Sequence, residues 1–447
     1  MSARELLALD ATAQREALAA GRVTAVALAE AYLEAIEAAR AINAYLAVDP
    51  EWTLAAARAA DARLIAGTAG PLEGLPIAVK DNLDAEGWRT TAGMATRRDR
   101  LHAAHDAHAV ARLREAGAVI LGKLNLHEGA LGADNDNPHF GACHNPHRHG
   151  YTPGGSSGGS GAAVAANLCA AALGTDSMGS VRIPASYCGV FGLKPSFGLV
   201  SPRGGVVVSR RLDHVGPLAR SARDLGLLVE AIAGFDPECA ESRRVPLDPP
   251  RRGPLAIGVP DLSAIDVDAD VRAAFEAGLE RLCALGHRIH PLPGPAIEPG
   301  RLRRAGLLVC EAEMLVEHAA DWAARRGDFS PALAAMLAWA ESKSARDFAA
   351  ADRLLDAGAV TMQRWLAACD VLAWPTTPQR AFAFGTAVPA SQADLTCLAN
   401  MAGVPALSLP LPVAAGELPI GLQLIGPVGS ERTLIALAEA FAAGSAD

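Results

Sequence analysis

Three stretches of this chain hold the residue types needed to break a covalent bond: Ile77-Ala-Val-Lys80-Asp-Asn82, Gly154-Gly-Ser156-Ser-Gly-Gly-Ser160, and Gly174-Thr-Asp-Ser177-Met178-Gly179-Ser180-Val-Arg182-Ile-Pro-Ala185. A serine hydroxyl is a poor nucleophile until something takes its proton. A lysine can take it when neutral, and burial away from water moves a lysine toward that state. Glycine costs backbone entropy, so Gly154, Gly155, Gly158 and Gly159 crowded around two serines need a reason. Positive φ and close approach of backbone N–H groups to a ligand supply one. Ser180 follows an apolar run, where a strand-to-helix turn aims successive N–H groups at a developing oxyanion. Each stretch alone has a plainer explanation: a Gly/Ser run is commonly a turn, and a lysine after a strand is commonly a solvated end.

The elements that must carry these groups follow from the hydrophobic pattern. Residues 1–65 read as helices, with Thr24 as an N-cap before the stripe Val26, Leu28, Ala29, Tyr32, Leu33 and Ile36. A Gly/Pro turn region at 67–74 precedes a buried strand at 75–79 that delivers Lys80. A helix over 107–116, closed by Gly117, leads to a second buried strand at 118–122, and this alternation points to an α/β fold. Residues 132–159 form a long loop rich in Gly, Asn, His and Pro, of the kind that is usually functional. A small-residue helix follows from Gly161, then a strand at 170–173. The Pro-Pro-Arg-Arg stretch within 246–254 is the best place for a boundary. Beyond it come a strand at 255–259, a helix at 268–285, a mostly helical 302–368, strands at 371–374, 406–411 and 420–425, and a helix at 430–442.

Composition narrows the classes. With 51% hydrophobic and 20% charged residues the chain can bury a large core. A net charge of −9 without a basic block argues against a nucleic-acid partner. Neither a signal peptide nor an apolar stretch of about 20 residues is read, so a cytoplasmic protein without a membrane partner is expected. Cys143, Cys169, Cys188, Cys239, Cys283, Cys310, Cys369 and Cys397 include no Cys-x-x-Cys pair and read as reduced thiols. His139, Cys143, His144, His147 and His149 invite a metal, but Pro146 disfavours a shared helical face and no His-Glu-x-x-His accompanies them. No metal and no cofactor is expected. Gly154–Gly158 also matches the Gly-x-Ser-x-Gly elbow of α/β-hydrolases, which would need partners such as Asp213 and His287 and leaves Lys80 unexplained.

Taken together, the three stretches resemble the amidase signature family, as does the 24-residue separation of Ser156 and Ser180. Gly189-Val-Phe-Gly-Leu-Lys-Pro195, Asp213-His-Val-Gly-Pro217, Arg220-Ser221, Pro375-Thr-Thr-Pro378, Asn400-Met-Ala-Gly-Val-Pro405 and Leu418-Pro-Ile-Gly-Leu-Gln423 extend the likeness over most of the chain. The resemblance implies a single domain over 1–447, a central mixed sheet covered by helices on both faces. Its parts would be N-terminal helices to 65, a catalytic core at 66–245, a helical region at about 260–370 flanking the site, and a return to the sheet at 371–442. It implies Lys80 as base, Ser156 as bridging serine behind a cis peptide, and Ser180 as nucleophile. The N–H groups of Ser177, Met178, Gly179 and Ser180 would form the oxyanion hole. Met178 stands where the family usually has Gly, and Ser177 where it usually has Thr or Ile; these departures bear on the substrate. The implied activity is hydrolysis of a small-molecule carboxamide to carboxylate and ammonia or amine. The alternatives are the ammonia-liberating subunit of a glutamyl- or aspartyl-tRNA amidotransferase, whose usual pattern differs at Asn125-Leu-His-Glu128 and Met178, and a ureide- or biuret-type hydrolase. A homodimer stays open as the state of assembly.

Overall fold

The computed structural model describes residues 3–444, so 1–2 and 445–447, the two ends of the expected 1–447 domain, lie outside the described residues. Eleven strands build one mixed sheet: β1 (Tyr45–Val48), β2 (Pro76–Lys80), β3 (Val119–Leu124), β4 (Ala171–Asp176), β5 (Phe191–Lys194), β6 (His214–Ala219), β7 (Ala256–Pro260), β8 (Arg288–Leu292), β9 (Val371–Pro375), β10 (Ala406–Pro410) and β11 (Gly421–Ile425). Their spatial order is β1-β3-β2-β4-β6-β5-β10-β11-β9-β7-β8. Helices cover both faces, so the α/β architecture with a mixed sheet is as expected.

β2 and β4 are buried along their whole length, which is why they read as unbroken apolar runs. They pair in parallel, Ala78 opposite Ala172 and Val79 opposite Leu173, so Lys80 and Thr175 leave the sheet at the same edge. β6 runs antiparallel to β4 with His214 opposite Asp176, and this register carries Asp213 to that edge as well. The helices Gly158–Ala165 and Arg182–Cys188 pack on one another over the sheet centre. Their approach is close enough that a Cβ on Gly161 would lie 2.9 Å from the Pro184 side chain.

Some elements escape the apolar pattern. Residues 1–65 are not wholly helical: Asn43 takes φ 55°, ending a short 3₁₀ turn, and β1 then pairs with β3 at the sheet edge. Half-buried edge strands of four residues leave little periodicity. β8 interrupts the region 260–370; it is also an edge, where Pro291 costs no ladder bond. β5 and β6 contain Gly192, Gly216 and Pro217, and a Cβ on Gly216 would collide with the Leu193 carbonyl, so backbone crowding replaces side-chain pattern there. The helix expected from Gly161 begins at Gly158.

The stretch 246–254 has neither helix nor strand and lies against the C-terminal helix Glu431–Ala443. The Asp248 N–H donates to the Gly429 carbonyl at 2.9 Å, and the Arg251 N–H to Thr433 Oγ1 at 3.1 Å. One hydrophobic cluster contains Leu28, Leu173 and Leu228 from before this stretch and Ile257, Leu302, Leu355 and Leu424 from after it.

Candidate active site

Lys80 Nζ donates to Ser156 Oγ at 2.7 Å and to Thr175 Oγ1 at 2.8 Å, and its side chain is fully buried. Asn82 Nδ2 donates to the same Thr175 hydroxyl at 3.0 Å, so the oxygen that steadies Lys80 is itself held. Burial pulls the Lys80 ammonium from its ordinary value down to about 7, against the charges of Asp176 and Asp213, which pull it up. Lys123 and Lys194 are also fully buried, but Lys123 faces the Asp81 carboxylate at 3.0 Å and Lys194 faces the carbonyls of Pro195 and Val404. Lys80 alone of these points at a serine hydroxyl.

The Gly155–Ser156 peptide is cis. Ser156 is buried, its carbonyl accepting from the His127 N–H at 3.1 Å. A Cβ on Gly155 would come within 2.9 Å of Gly132 and Ala133 backbone, and one on Gly158 within 2.6 Å of Asn135, so close approach explains these glycines. The next residue, Ser157, donates its N–H to the Ser180 carbonyl at 3.2 Å, which docks the two serine turns together. Ser180 is half-buried while Lys80 and Ser156 are closed off. That ordering suits a relay in which the outer hydroxyl meets substrate and the inner groups manage its proton.

The turn leading to Ser180 is built on Asp176. Its carboxylate accepts from the N–H of Gly179 at 2.7 Å and of Val181 at 3.1 Å, and from Arg182 through Nε at 3.0 Å and a terminal nitrogen at 2.9 Å. Asn400 Nδ2 adds a bond at 2.9 Å. Burial alone would push the Asp176 carboxyl up, but Arg182, Lys194 and Asn400 hold it well below the usual carboxylate range. Gly179 has φ 134°, and a Cβ there would collide with Thr396 Oγ1, which itself donates to the Met178 carbonyl at 2.6 Å. Because the Gly179 N–H is already committed to Asp176, it has no free hydrogen to offer an oxyanion. The N–H groups of Ser177, Met178 and Ser180 have no acceptor among the described residues. Met178 is buried, and a Cβ on Gly306 would lie 3.1 Å from its Sδ and Cε, so its thioether packs on the helix Pro299–Glu317.

The competing sequence features separate from this centre. His287 Nδ1 accepts from the Leu255 N–H at 3.1 Å at the start of β7, near the far edge of the sheet, so it gives Ser156 no histidine. Asp213 accepts from Ser177 Oγ at 2.5 Å. In the histidine loop, the rings of His144 and His149 stack at 3.9 Å, His147 Nε2 meets the Cys188 carbonyl at 2.9 Å and His139 Nε2 meets Glu128 at 2.9 Å. Among the described residues no three His, Cys, Asp or Glu side chains gather as metal ligands. Sequence reasoning does not single out Thr175, Asp176, Arg182, Thr396 and Asn400 as site residues. The run Thr175-Asp176-x-x-Gly-Ser180-x-Arg182 holds the first three, Asn400 opens the block Asn400-Met-Ala-Gly-Val-Pro405, and Thr396 lies outside every such block.

The family model for Amidase matches residues 27–435. The A subunit of glutamyl-tRNA(Gln) amidotransferase from Bordetella avium is 39% identical over 97% of this chain and 95% of its own length. A solved chain from a vestigial protein complex bearing on the evolutionary origins of an s-triazine catabolic enzyme superposes with a TM-score of 0.91 at 33% identity, covering 98% of this chain and 99% of that one. The A subunit of glutamyl-tRNA(Gln) amidotransferase from Thermotoga maritima gives 0.77 at 29% identity, covering 98% and 94%.

Proposed function

Because this chain belongs to the amidase family, an enzyme family of amide C–N bonds, we propose that it hydrolyses a primary carboxamide to a carboxylate and ammonia through an acyl-enzyme on Ser180. The observation that carries this reading is the buried 2.7 Å contact between Lys80 Nζ and Ser156 Oγ, next to Ser157, whose N–H is bonded to the Ser180 carbonyl. Neutral Lys80 takes the Ser156 proton while Ser156 takes that of Ser180, and Ser180 Oγ adds to the amide carbon. The N–H groups of Ser177, Met178 and Ser180 are the donors left to hold the oxyanion. The same protons return through Ser156 to the nitrogen, the C–N bond breaks, and ammonia leaves. Water then enters by the reverse relay and releases the carboxylate. A substituted amide would follow the same steps and release an amine, and a ureide would release ammonia or an amine and leave a carbamoyl group on Ser180 that water frees as a carbamate.

Two fates for the ammonia divide the finer readings. A free-standing amidase releases it. An amidotransferase subunit passes it to a partner, and the full-length identity to proteins named as such subunits favours this second reading over the first. The likeness to the chain from a complex tied to the origins of an s-triazine catabolic enzyme supports a companion chain, and the ureide reading stays beside it as a third. Among the described residues no helix is long and apolar enough to cross a membrane, and a cytoplasmic enzyme with a small-molecule substrate fits all three readings.

The deciding experiment is turnover by the purified chain of glutamine, asparagine, aliphatic and aryl amides and ureides, with ammonia measured, alone and with neighbouring gene products added. Mass spectrometry of the quenched enzyme should find the acyl group on Ser180. Acyl recovered on Ser156 would reverse the two serines, and no covalent species under any substrate would overturn the mechanism.

A further inference from the structure

We propose that Asp213 is a positioning residue for this reaction: its carboxylate grips the 177–180 turn through the Ser177 hydroxyl and sets the field felt by the Lys80 amine. The proposal rests on the Ser180–Ser156–Lys80 reading above and adds to it a group outside the relay.

The geometry is set by the sheet. Asp213 immediately precedes β6, and the pairing of His214 with Asp176 of β4 lands it beside the first residue of the turn. Ser177 Oγ donates to Asp213 Oδ1 at 2.5 Å, and the Val208 N–H donates to Oδ2 at 2.9 Å. The Asp213 N–H donates back to the Ser209 carbonyl at 2.9 Å, so segment 208–213 is folded around the carboxylate. Asp176 grips the turn at Gly179 and Val181, and Asp213 grips it at Ser177. Two carboxylates thus clamp the stretch whose remaining N–H groups, on Ser177, Met178 and Ser180, face no acceptor among the described residues. A hydroxyl at position 177 is what makes the second grip available.

The charges around Asp213 leave Lys80 as its counterpart. Asp176 lies on the neighbouring strand β4 and Lys80 on β2 beyond it, His214 on β6, Cys310 and Glu313 on the helix Pro299–Glu317, and Arg210 across a cavity of about 320 Å³ that Asp213 lines with Asn82 and Thr175. Burial keeps the Cys310 thiol and the His214 ring neutral. Arg210 is engaged by Glu241 at 2.5 Å, and its N–H donates to Glu313 at 2.6 Å. Asp176 is neutralised by Arg182 at 2.9 Å. The Asp213 carboxyl is raised by burial to about 6, opposed by the Ser177, Val208 and Ser209 hydrogen bonds, so it is mostly ionised at neutral pH. Its negative charge then favours the protonated form of Lys80, which is a restraint on the base as well as a hold on the turn.

The two effects are separable by substitution. Asp213→Asn removes the charge outright, whereas Ser177→Ala removes the grip and only the hydrogen bond that favours the ionised carboxylate. With an amide that the wild-type enzyme turns over, kcat against pH is measured for both, with melting temperature and circular dichroism as folding controls. Asp213→Asn should shift the rising limb set by Lys80 to lower pH and reduce the plateau kcat about tenfold to a hundredfold with KM little changed. Ser177→Ala should reduce kcat with a smaller shift of the limb than Asp213→Asn gives, and Ser177→Thr should restore it. A limb that stays in place in Asp213→Asn, or full activity in Ser177→Ala, overturns the proposal. If Asp213→Asn fails to fold, the Ser177→Ala and Ser177→Thr pair decides alone. Lys80→Ala, run alongside, separates the two levels: wild-type turnover there sinks the relay itself, whereas an inactive Lys80→Ala beside an unaltered Asp213→Asn sinks only the role of Asp213.

Discussion

Lys80 has full burial, two hydroxyl neighbours and no carboxylate in contact, and this combination sets its chemistry. An ordinary lysine would be almost wholly protonated at neutral pH, with well under ~1% available as base. Pulled down to about 7 by burial, Lys80 is half neutral near that pH. Activity should therefore rise through pH 7 as the amine loses its proton, and level off above it; a rate that falls over the same interval would exclude Lys80 as the base. Lys80→Ala should cost about 10² to 10⁴ in kcat, the range for acid–base groups, while keeping a residue of rate from the oxyanion donors. Stability gives an independent readout of the same burial. Below pH 7 both folded and unfolded chains carry the charge, and the folded one bears its full desolvation cost. Between about 7 and the ordinary lysine value the unfolded chain binds more protons, so wild-type stability gains with pH. Lys80→Met should thus raise the melting temperature more at pH 6 than at pH 10, and an equal effect at both would show that the amine is not desolvated.

Between single residues and the sheet stands the 176–182 junction, a strand end and a helix start joined by one carboxylate. Asp176 is fully buried with Arg182, and Arg182 also reaches the Asn400 side chain at 2.6 Å and Gln423 at 2.5 Å, so the turn is tied to β11 and to the helix Cys397–Met401. Breaking one side of a buried pair commonly costs about 3–5 kcal/mol, since the other charge is left alone. Asp176→Asn should therefore lower stability by that order and abolish activity by releasing the Gly179 and Val181 N–H groups. Gly179→Ala should do less to stability than to rate, because its left-handed φ and the adjacent Thr396 hydroxyl forbid a Cβ in the working turn; chemical denaturation and kcat on the same preparations would check both. This junction also marks how far the sequence can be read. The motif places Lys80, Ser156 and Ser180 because their neighbours in the chain are glycines and apolar strands with a local logic. It counts Gly179 among four equivalent donors because an N–H committed to a carboxylate three residues back looks, in sequence, like any other. Thr396 and Asn400 act from more than 200 residues away, where no local pattern connects them to the turn. β2, β4, β9, β10 and β11 are legible as buried apolar runs, while edge strands β1 and β8 and glycine-bearing β5 and β6 are not, because their partners and not their side-chain period define them.

The whole molecule follows from how that sheet is threaded. The strands before 246–254 and those after it do not form two sheets side by side: β10 pairs with β5 across Leu407 and Leu193, and β10 and β11 then carry the ladder on to β9 and β7. The chain must return from the far half to complete the near one, and Asn400, Thr396 and Gln423 of the returning segment are what Arg182 and Met178 hold. A turn assembled this way cannot keep these contacts in a fragment ending at 245. The irregular segment 246–254 looks like a linker by composition, yet the N–H groups of Asp248 and Arg251 are bonded to Gly429 and Thr433, and one apolar cluster spans both sides of it. We therefore propose that residues 3–444 unfold as one unit. Denaturant or thermal unfolding followed at once by tryptophan fluorescence, far-ultraviolet circular dichroism and loss of activity should give coincident midpoints. Four of the six tryptophans, Trp322, Trp339, Trp365 and Trp374, lie after the segment, whereas Lys80, Ser156 and Ser180 lie before it, so the two signals weight different halves. Fluorescence that changes at lower denaturant than activity would mean the second half can melt while the site persists. That outcome would contradict both the single unit and the tie between Asp176, Arg182 and Asn400 on which the turn depends.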